Sequence, residues 1–191
     1  LHLSLRRQRQ MCIRDSSNPA ELSSFEALII AVGDARLDAA VELLEPHVHR
    51  GLIAVHTCLS RGVQVLDPLE TRGCVVAALA PIVSGRWAAT TLDELGETIV
   101  ELIAGEFHAD VLALSDAERA PFAARVYYAD MLHRLQVPAA REAEFFAPTE
   151  EWPPVGSDFD SQEAIAAYRG ATDPGLRRSY VEVARRLGEV D

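Results

Sequence analysis

A chain of 191 residues, 49 % apolar and 25 % charged, is long enough for a globular domain with its own core, and no apolar run in it approaches the ~20 residues that span a bilayer. The net charge of −11 disfavours nucleic acid as a partner, because an acidic surface repels a phosphate backbone. All 18 basic residues are arginine, so no lysine is present to form a Schiff base, act as an amine base or hold a phosphate in a P-loop.

The chain opens LHLSLRRQRQMCIRDS, with neither a helical period nor strand alternation, and without the apolar stretch of a signal peptide. These 16 residues hold four arginines (Arg6, Arg7, Arg9, Arg14) and one acid, Asp15, a balance of +3, which leaves −14 on the remainder. One reading is a basic arm for nucleic acid or membrane. The other follows from a likeness: LSLRRQRQMCIRDS resembles the sequencing-adapter read-through found at the edges of metagenomic gene calls. On that likeness residues 1–16 are a non-native segment, and the chain is expected to be the C-terminal part of a longer protein. The three cysteines, Cys12, Cys58 and Cys74, form neither a disulfide framework nor a C-x-x-C pair, which points to a reducing cytoplasm.

The fold is expected to begin near Ser17. Residues 27–32, ALIIAV, form a continuous apolar run suited to a strand buried on both faces. Gly33-Asp34 ends it, with Asp34 as the expected cap of the next helix. Within 36–48, Leu37, Ala40, Val41 and Leu44 recur at helical spacing, and Arg50-Gly51 closes that helix. LIAVH at 52–56 is a second buried strand. A helical stretch near 62–71, interrupted by Pro68 and stopped by Gly73, leads to a third strand, CVVAALA at 74–80. After Pro81 come a strand at 86–90, a helix over 92–104 ended by Gly105, and a strand at about 109–113. Ser115-Asp-Ala-Glu118 has capping-box form and starts a helix running to about 136. Pro138 and the acidic, aromatic stretch 142–156 read as a connector, followed by helices at 161–169 and 174–188; in the second, Asp173 caps and Pro174 stands at the first position.

Three apolar strands alternating with two short helices define an α/β fold with a wound parallel sheet. The predicted architecture is the C-terminal part of a Rossmann-like parallel sheet, residues 17–114, followed by an all-helical domain, 115–191.

At LIIAVGD, HRGLIAVHTCLSRGVQVLDPLETRG and CVVAALAPI the chain resembles the 6-phosphogluconate dehydrogenase-like superfamily of NAD(P)-dependent oxidoreductases. The nearest branch is that of Rossmann-like proteins whose C-terminal domain is of unknown function. There a strand ending in A-V-x-D precedes a helix. Next come a strand ending in H-T-S-G, a helix ending in P-L-x-x-x-G, and a strand ending in L-H-P. The branch's long helix carries Y-H-A-A and a later Asn; here SDAERAPFAARVYYADML stands in its place. The likeness covers residues 26–135, and more loosely the last helices.

The resemblance implies a dinucleotide lying across the carboxyl ends of the parallel strands. The glycine fingerprint of such folds would fall upstream of residue 17, so this chain is expected to hold only the nicotinamide side of the site and to bind NAD or NADP weakly or not at all. Val32, Gly33 and Asp34 match the loop beside the nicotinamide ribose; His56, Thr57 and Cys58 match the loop near nicotinamide and substrate. Gly33 is also readable as a plain turn glycine, and His56 as a satisfied strand-end histidine. The departures are pointed. H-T-S-G reads His56-Thr57-Cys58-Leu59, L-H-P reads Leu79-Ala80-Pro81, Y-H-A-A reads Phe122-Ala123-Ala124-Arg125, and the Asn falls on Asp130. Hydride transfer needs a group that gives or takes the substrate proton. The candidates here are His56, and Asp130 paired with Arg125. The implied function is an oxidoreductase of a small carbonyl or hydroxy substrate, with a homodimer through the helical domain. The alternatives are a non-catalytic dinucleotide-binding or interaction protein on the same scaffold, and an unrelated α/β protein.

Other constellations point to no separate chemistry. His47, His49, His56 and Cys58 lack a carboxylate at ligand spacing, so no metal is expected. Cys58 or Ser60 beside His56 lacks a nucleophile elbow. Glu142, Glu144, Glu150 and Glu151 among Phe145, Phe146 and Trp152 read as a linker packing on the helical domain, or as a partner surface. Tyr180, Val181, Val183, Ala184 and Leu187 fit helix packing within or between chains.

Overall fold

The computed structural model describes residues 19–143 and 161–190. Residues 1–16 and most of the expected connector, beyond Ala143, lie outside the described residues. A short 3-10 turn, Pro19–Ser24, leads into strand β1 (Ala27–Ile30), and helix α1 (Asp34–Leu44) returns the chain to β2 (Ile53–His56). A 3-10 turn at Val63–Leu66 and the short α2 (Asp67–Thr71) lead to β3 (Val75–Val83), then β4 (Arg86–Thr91), α3 (Glu94–Glu106) and β5 (Asp110–Ala113). Three helices close the described chain: α4 (Asp116–Ala143), α5 (Ser161–Tyr168) and α6 (Pro174–Val190).

The five strands stand in sequence order. β1, β2 and β3 are parallel, with Ala27 opposite Ile53 and Ile53 opposite Val75. β3 and β4 are antiparallel, and β4 and β5 run parallel to each other. The parallel α/β reading holds for β1, β2 and β3, and β4 enters the sheet antiparallel. Val83 pairs with Arg86, so only Ser84 and Gly85 separate the strands, too few for a crossover but enough for a hairpin. Gly85 takes φ +74°, the left-handed region such a turn requires. The third strand also outlasts Pro81, where its register with β4 shifts, a position that tolerates a residue without an N–H.

Alternation along the strands divides the core. Ala54, Val76 and Ala78 face Leu37 and Val41 of α1 and Leu66 and Leu69 near α2. Val55, Ala77, Leu79 and Ala89 face Val100 of α3 on the other side. Ala80 and Ile82, further along β3, meet Ala123 and Val126 of α4. Each fully buried valine or leucine side chain contributes roughly 1.5–3 kcal/mol, and each alanine methyl less. These helices clamp the strands and leave the carboxyl ends of β1 and β2 to the loops that follow them.

The long helix α4 continues through Pro138 to Ala143 rather than ending near 136. Proline removes one hydrogen bond, but its φ is helical, so it does not by itself end a helix. The C-terminal helices pack on α4 through Met131, Tyr180 and Leu187, with the Tyr180 hydroxyl donating to the Ala164 carbonyl at 2.8 Å. Asp173 accepts from the Leu176 amide at 2.6 Å, the cap expected for α6.

Candidate functional site

The loops after β1 and β2 lie side by side. The Thr57 amide donates to Ile30 O at 3.2 Å, and the Cys58 thiol donates to Val32 O at 3.0 Å. Val32, Gly33, Asp34, His56, Thr57 and Cys58 are therefore one contiguous, partly buried group at the carboxyl ends of two parallel strands. The capping expected of Asp34 takes a different form. Asp34 is the first helical residue, Gly33 holds the cap position without a side-chain bond, and Glu163 of α5 accepts the Asp34 amide at 3.0 Å. Gly33 has an ordinary φ of −65°. What it supplies is closeness, since a Cβ there would lie 2.7 Å from Glu163 Oε1.

The Asp34 side chain points inward and is only 5 % exposed. The Ser60 hydroxyl donates to Oδ2. Oδ1 is buried with no hydrogen-bond partner among the described residues. Burial, and then repulsion from Glu163, push the Asp34 carboxyl above its ordinary pKa. Tyr127 of α4 donates its hydroxyl to Glu163 Oε2 at 3.3 Å, and burial pushes that phenol up as well. The Cys58 thiol is likewise pushed up, by burial and by Asp34, and is held as the neutral thiol, not as a nucleophile.

His56 is fully buried. Its Nδ1 accepts from the Cys58 amide at 3.2 Å and its Nε2 lies 3.0 Å from Gly62 O. That pairing assigns the hydrogen to Nε2. Burial lowers its pKa to about 4, a shift the Gly62 bond opposes and Arg119 and Arg61 reinforce. His56 thus ties its own loop together as a neutral ring. Asp130 is buried and accepts from Arg134 Nε at 2.8 Å. The expected Arg125–Asp130 pairing is corrected: five residues apart on a helix is about 140° of rotation, whereas four apart are neighbours, and Arg125 is exposed.

Sequence reasoning missed Glu163, Tyr127 and Arg119. Arg119 is fully buried; its guanidinium donates to Cys58 O at 2.8 Å and to Thr90 Oγ1 at 3.1 Å, and Thr90 in turn donates to Leu114 O at 2.7 Å. Burial lowers its pKa to about 10, so it remains charged at neutral pH. A signal existed, because Arg119, Ala123 and Val126 fall on one helical stripe whose other members are apolar. For Glu163, 129 residues from its partner, no local pattern could have served.

Ala80 and Ala123, which replace histidines of the resembled motifs, are both fully buried and belong to one apolar cluster with Leu59, Ala88 and Val126. Two losses on separate elements have become a single piece of core. His49 is occupied by the Phe25 and Arg50 carbonyls. Among the described residues no three His, Cys, Asp or Glu side chains converge as metal ligands, and no helix is long and apolar enough to cross a membrane.

The protein-family model described as a Rossmann-like domain matches residues 5–81, a span that takes in the parallel strands β1 and β2, most of β3 and the polar cluster at their carboxyl ends. Solved structures share the fold. UDP-D-ManNAc dehydrogenase from Pyrococcus horikoshii aligns with TM-score 0.62 at 13 % identity, over 90 % of this chain and 53 % of that one. Pyrroline carboxylate reductase from Plasmodium falciparum, solved with NADP bound, aligns with TM-score 0.56 at 8 % identity, over 93 % and 82 %. Arogenate dehydrogenase from Synechocystis aligns with TM-score 0.53 at 12 % identity, over 96 % and 72 %. At such identities the likeness is one of fold. No curated protein matches the sequence.

Proposed function

We propose that the chain acts as an NAD(P)-dependent oxidoreductase on a small carbonyl or hydroxy substrate, with the nicotinamide end of the cofactor at the loops after β1 and β2. The observation that carries this reading is the orphaned Asp34 Oδ1, a buried acceptor at the carboxyl edge of a Rossmann-like sheet. A ribose hydroxyl or a carboxamide supplies the donor it lacks. A phosphate does not, because Asp34 and Glu163 are both acceptors there. The residues present therefore fit the nicotinamide riboside end of NAD or NADP. Val32, Gly33, Asp34, Thr57 and Cys58 would hold it, and His56 positions their loop. When bound, the cofactor supplies hydride chemistry.

For the accompanying proton we assign Tyr127 with Glu163 in preference to His56, which is locked, and to Asp130 with Arg125, which do not pair. Residues 17–114 form the binding unit in this reading. Residues 115–191 form a helical unit that covers it and, through exposed Leu132, Ile165 and Val181, meets a second copy in a homodimer. The buried free thiols of Cys58 and Cys74 suit a cytoplasmic setting.

A second reading, dinucleotide binding without turnover, is favoured by the apolar packing of Ala80 against Ala123 where the resembled enzymes carry histidines. One experiment separates the two. The gene is extended upstream, and the longer protein is titrated with NADH and NADPH by cofactor fluorescence, then assayed for cofactor oxidation against a panel of small carbonyl compounds; the present chain alone is expected to bind either cofactor weakly or not at all. Saturable binding with turnover supports the oxidoreductase; saturable binding without it supports the second reading. No saturable binding of either cofactor at millimolar concentration sinks both.

A further inference from the structure

We infer that the outer face of α3 is covered by α6 of a second copy of this chain. The inference rests on the homodimer proposed above and names the surface that Val181 meets. Of the ten large apolar side chains exposed among the described residues, five fall within residues 92–112, on α3 and the segments beside it. Leu95 and Leu102 are 55 % and 67 % exposed and stand seven residues apart on one face of α3, with half-buried Ile99 between them. Glu94 and Glu101 form the neighbouring row, also seven apart. Residues 92–112 hold six acids (Asp93, Glu94, Glu97, Glu101, Glu106, Asp110) and not one arginine. Among the described residues none of the six is in an ion pair. An apolar stripe in an acidic rim marks an interaction surface rather than a solvated face.

The complement of that surface is positive charge around an apolar centre, and the chain carries both on α6. From Pro174 to Leu187 there are four arginines (Arg177, Arg178, Arg185, Arg186) against one acid, Glu182. Arg185 and Arg186 both reach Glu182, which leaves the segment positive. Tyr180 and Leu187 are buried toward α4. Arg178, Val181 and Arg185, three and four residues apart, lie on the exposed face, where Val181 is 54 % exposed. Arg178 and Arg185 repeat the seven-residue spacing of Glu94 and Glu101, about 10 Å along either helix. Both charge pairs therefore meet when the helices lie side by side, with Val181 against the leucine stripe. Within the chain α3 packs on β3, β4 and β5, and α6 packs on α4 and α5, so each turns its other face outward. Each copy offers one α3 and one α6, and two reciprocal contacts close a two-fold dimer. The opposite charges fix the pairing and make it sensitive to salt.

Sedimentation velocity of the full chain reads the association directly and needs no cofactor. The wild type is expected to be a dimer at low ionic strength, with a dissociation constant that rises about tenfold in ~1 M salt, where charges are screened within ~3 Å. Glu94→Arg with Glu101→Arg and, in a separate protein, Arg178→Glu with Arg185→Glu are each expected to be monomers at the same concentration, with wild-type circular dichroism. Mixed in equal amounts, the two variants are expected to form a dimer again, because one contact is then native and the other has its charges exchanged. A dimer from either variant alone, or no dimer from the mixture, overturns the inference. Leu102→Ser supplies a reading without charge reversal: a dissociation constant raised about tenfold is expected, and an unchanged one overturns the inference. A monomeric wild type overturns this inference and the proposed homodimer together. A dimer that is broken by Leu132→Glu but untouched by the α3 reversal overturns this inference alone.

Discussion

A histidine buried without charge makes folding sensitive to acid. In the unfolded chain His56 titrates near 6.5, and in the folded protein near 4. Between those values the unfolded state holds more protons, so stability is fully present above about pH 6.5 and falls as pH drops towards 4. Integrated over the shift, the loss is about 3 kcal/mol. Asp34 acts in the opposite sense. Its raised pKa favours the folded state at low pH, and that contribution fades as pH rises through its folded value. Urea unfolding from pH 4 to pH 7 checks the histidine term. His56→Gln is expected to cost about 1–3 kcal/mol at pH 7, by disturbing the bonds to Cys58 and Gly62, and to remove the steep acid limb. An acid limb unchanged in the variant would mean that another group sets it.

Between elements, buried hydrogen bonds join α4 to the sheet, and close backbone packing joins the end of α5 to α4. Arg119 carries α4 onto the loop after β2 and onto β4 through hydrogen bonds to Cys58 O and Thr90 Oγ1. Arg119→Met is expected to lower stability by about 1–3 kcal/mol in urea titration, since it strands a buried carbonyl. Arg119→Lys is expected to recover little, because a single ammonium does not span two acceptors as a guanidinium does. Gly170, after α5, is buried, and a Cβ there would overlap the Ala120 carbonyl of α4. Gly170→Ala is therefore expected to cost about 1–3 kcal/mol by overpacking, seen as a lower thermal midpoint. These contacts also explain what the sequence made legible. The run IAVH announces a strand buried on both faces, whereas ALII, read the same way, forms an edge strand whose Ala27 and Ile29 are exposed; the Ser84-Gly85 hairpin escaped because an antiparallel return needs only two residues. The loops at Gly33 and His56 were readable because they follow those runs directly. Glu163 was not, since its role arises only when α5 is folded against α1, and the burial of Arg119 depends on Thr90 being in place to receive it.

Taken as one object, the molecule has a parallel layer and a helical layer, and its aromatic residues are sorted between them. All four tyrosines, Tyr127, Tyr128, Tyr168 and Tyr180, lie on α4, α5 and α6, while Trp87 lies on β4 against Phe107, with ring centroids 4.9 Å apart. Tyrosine absorbance therefore reports the helical layer. In a Trp152→Phe background, tryptophan fluorescence reports the sheet. If Arg119, the Asp34–Glu163 contact and the core between Ala80 and Ala123 couple the layers, neither comes apart alone, and the two signals should follow a single urea transition with the same midpoint, as for a two-state domain. Gly170→Ala pushes the end of α5 away from α4 within the helical layer without touching the sheet. In that variant the tyrosine transition is expected to move to lower urea than the tryptophan one, exposing a state in which the sheet stands and α5 and α6 have parted from α4. Coincident transitions in the variant, shifted together, would show instead that the coupling rests on Arg119 and the core beneath it. A separation already present in the wild type would show that the layers fold as independent units.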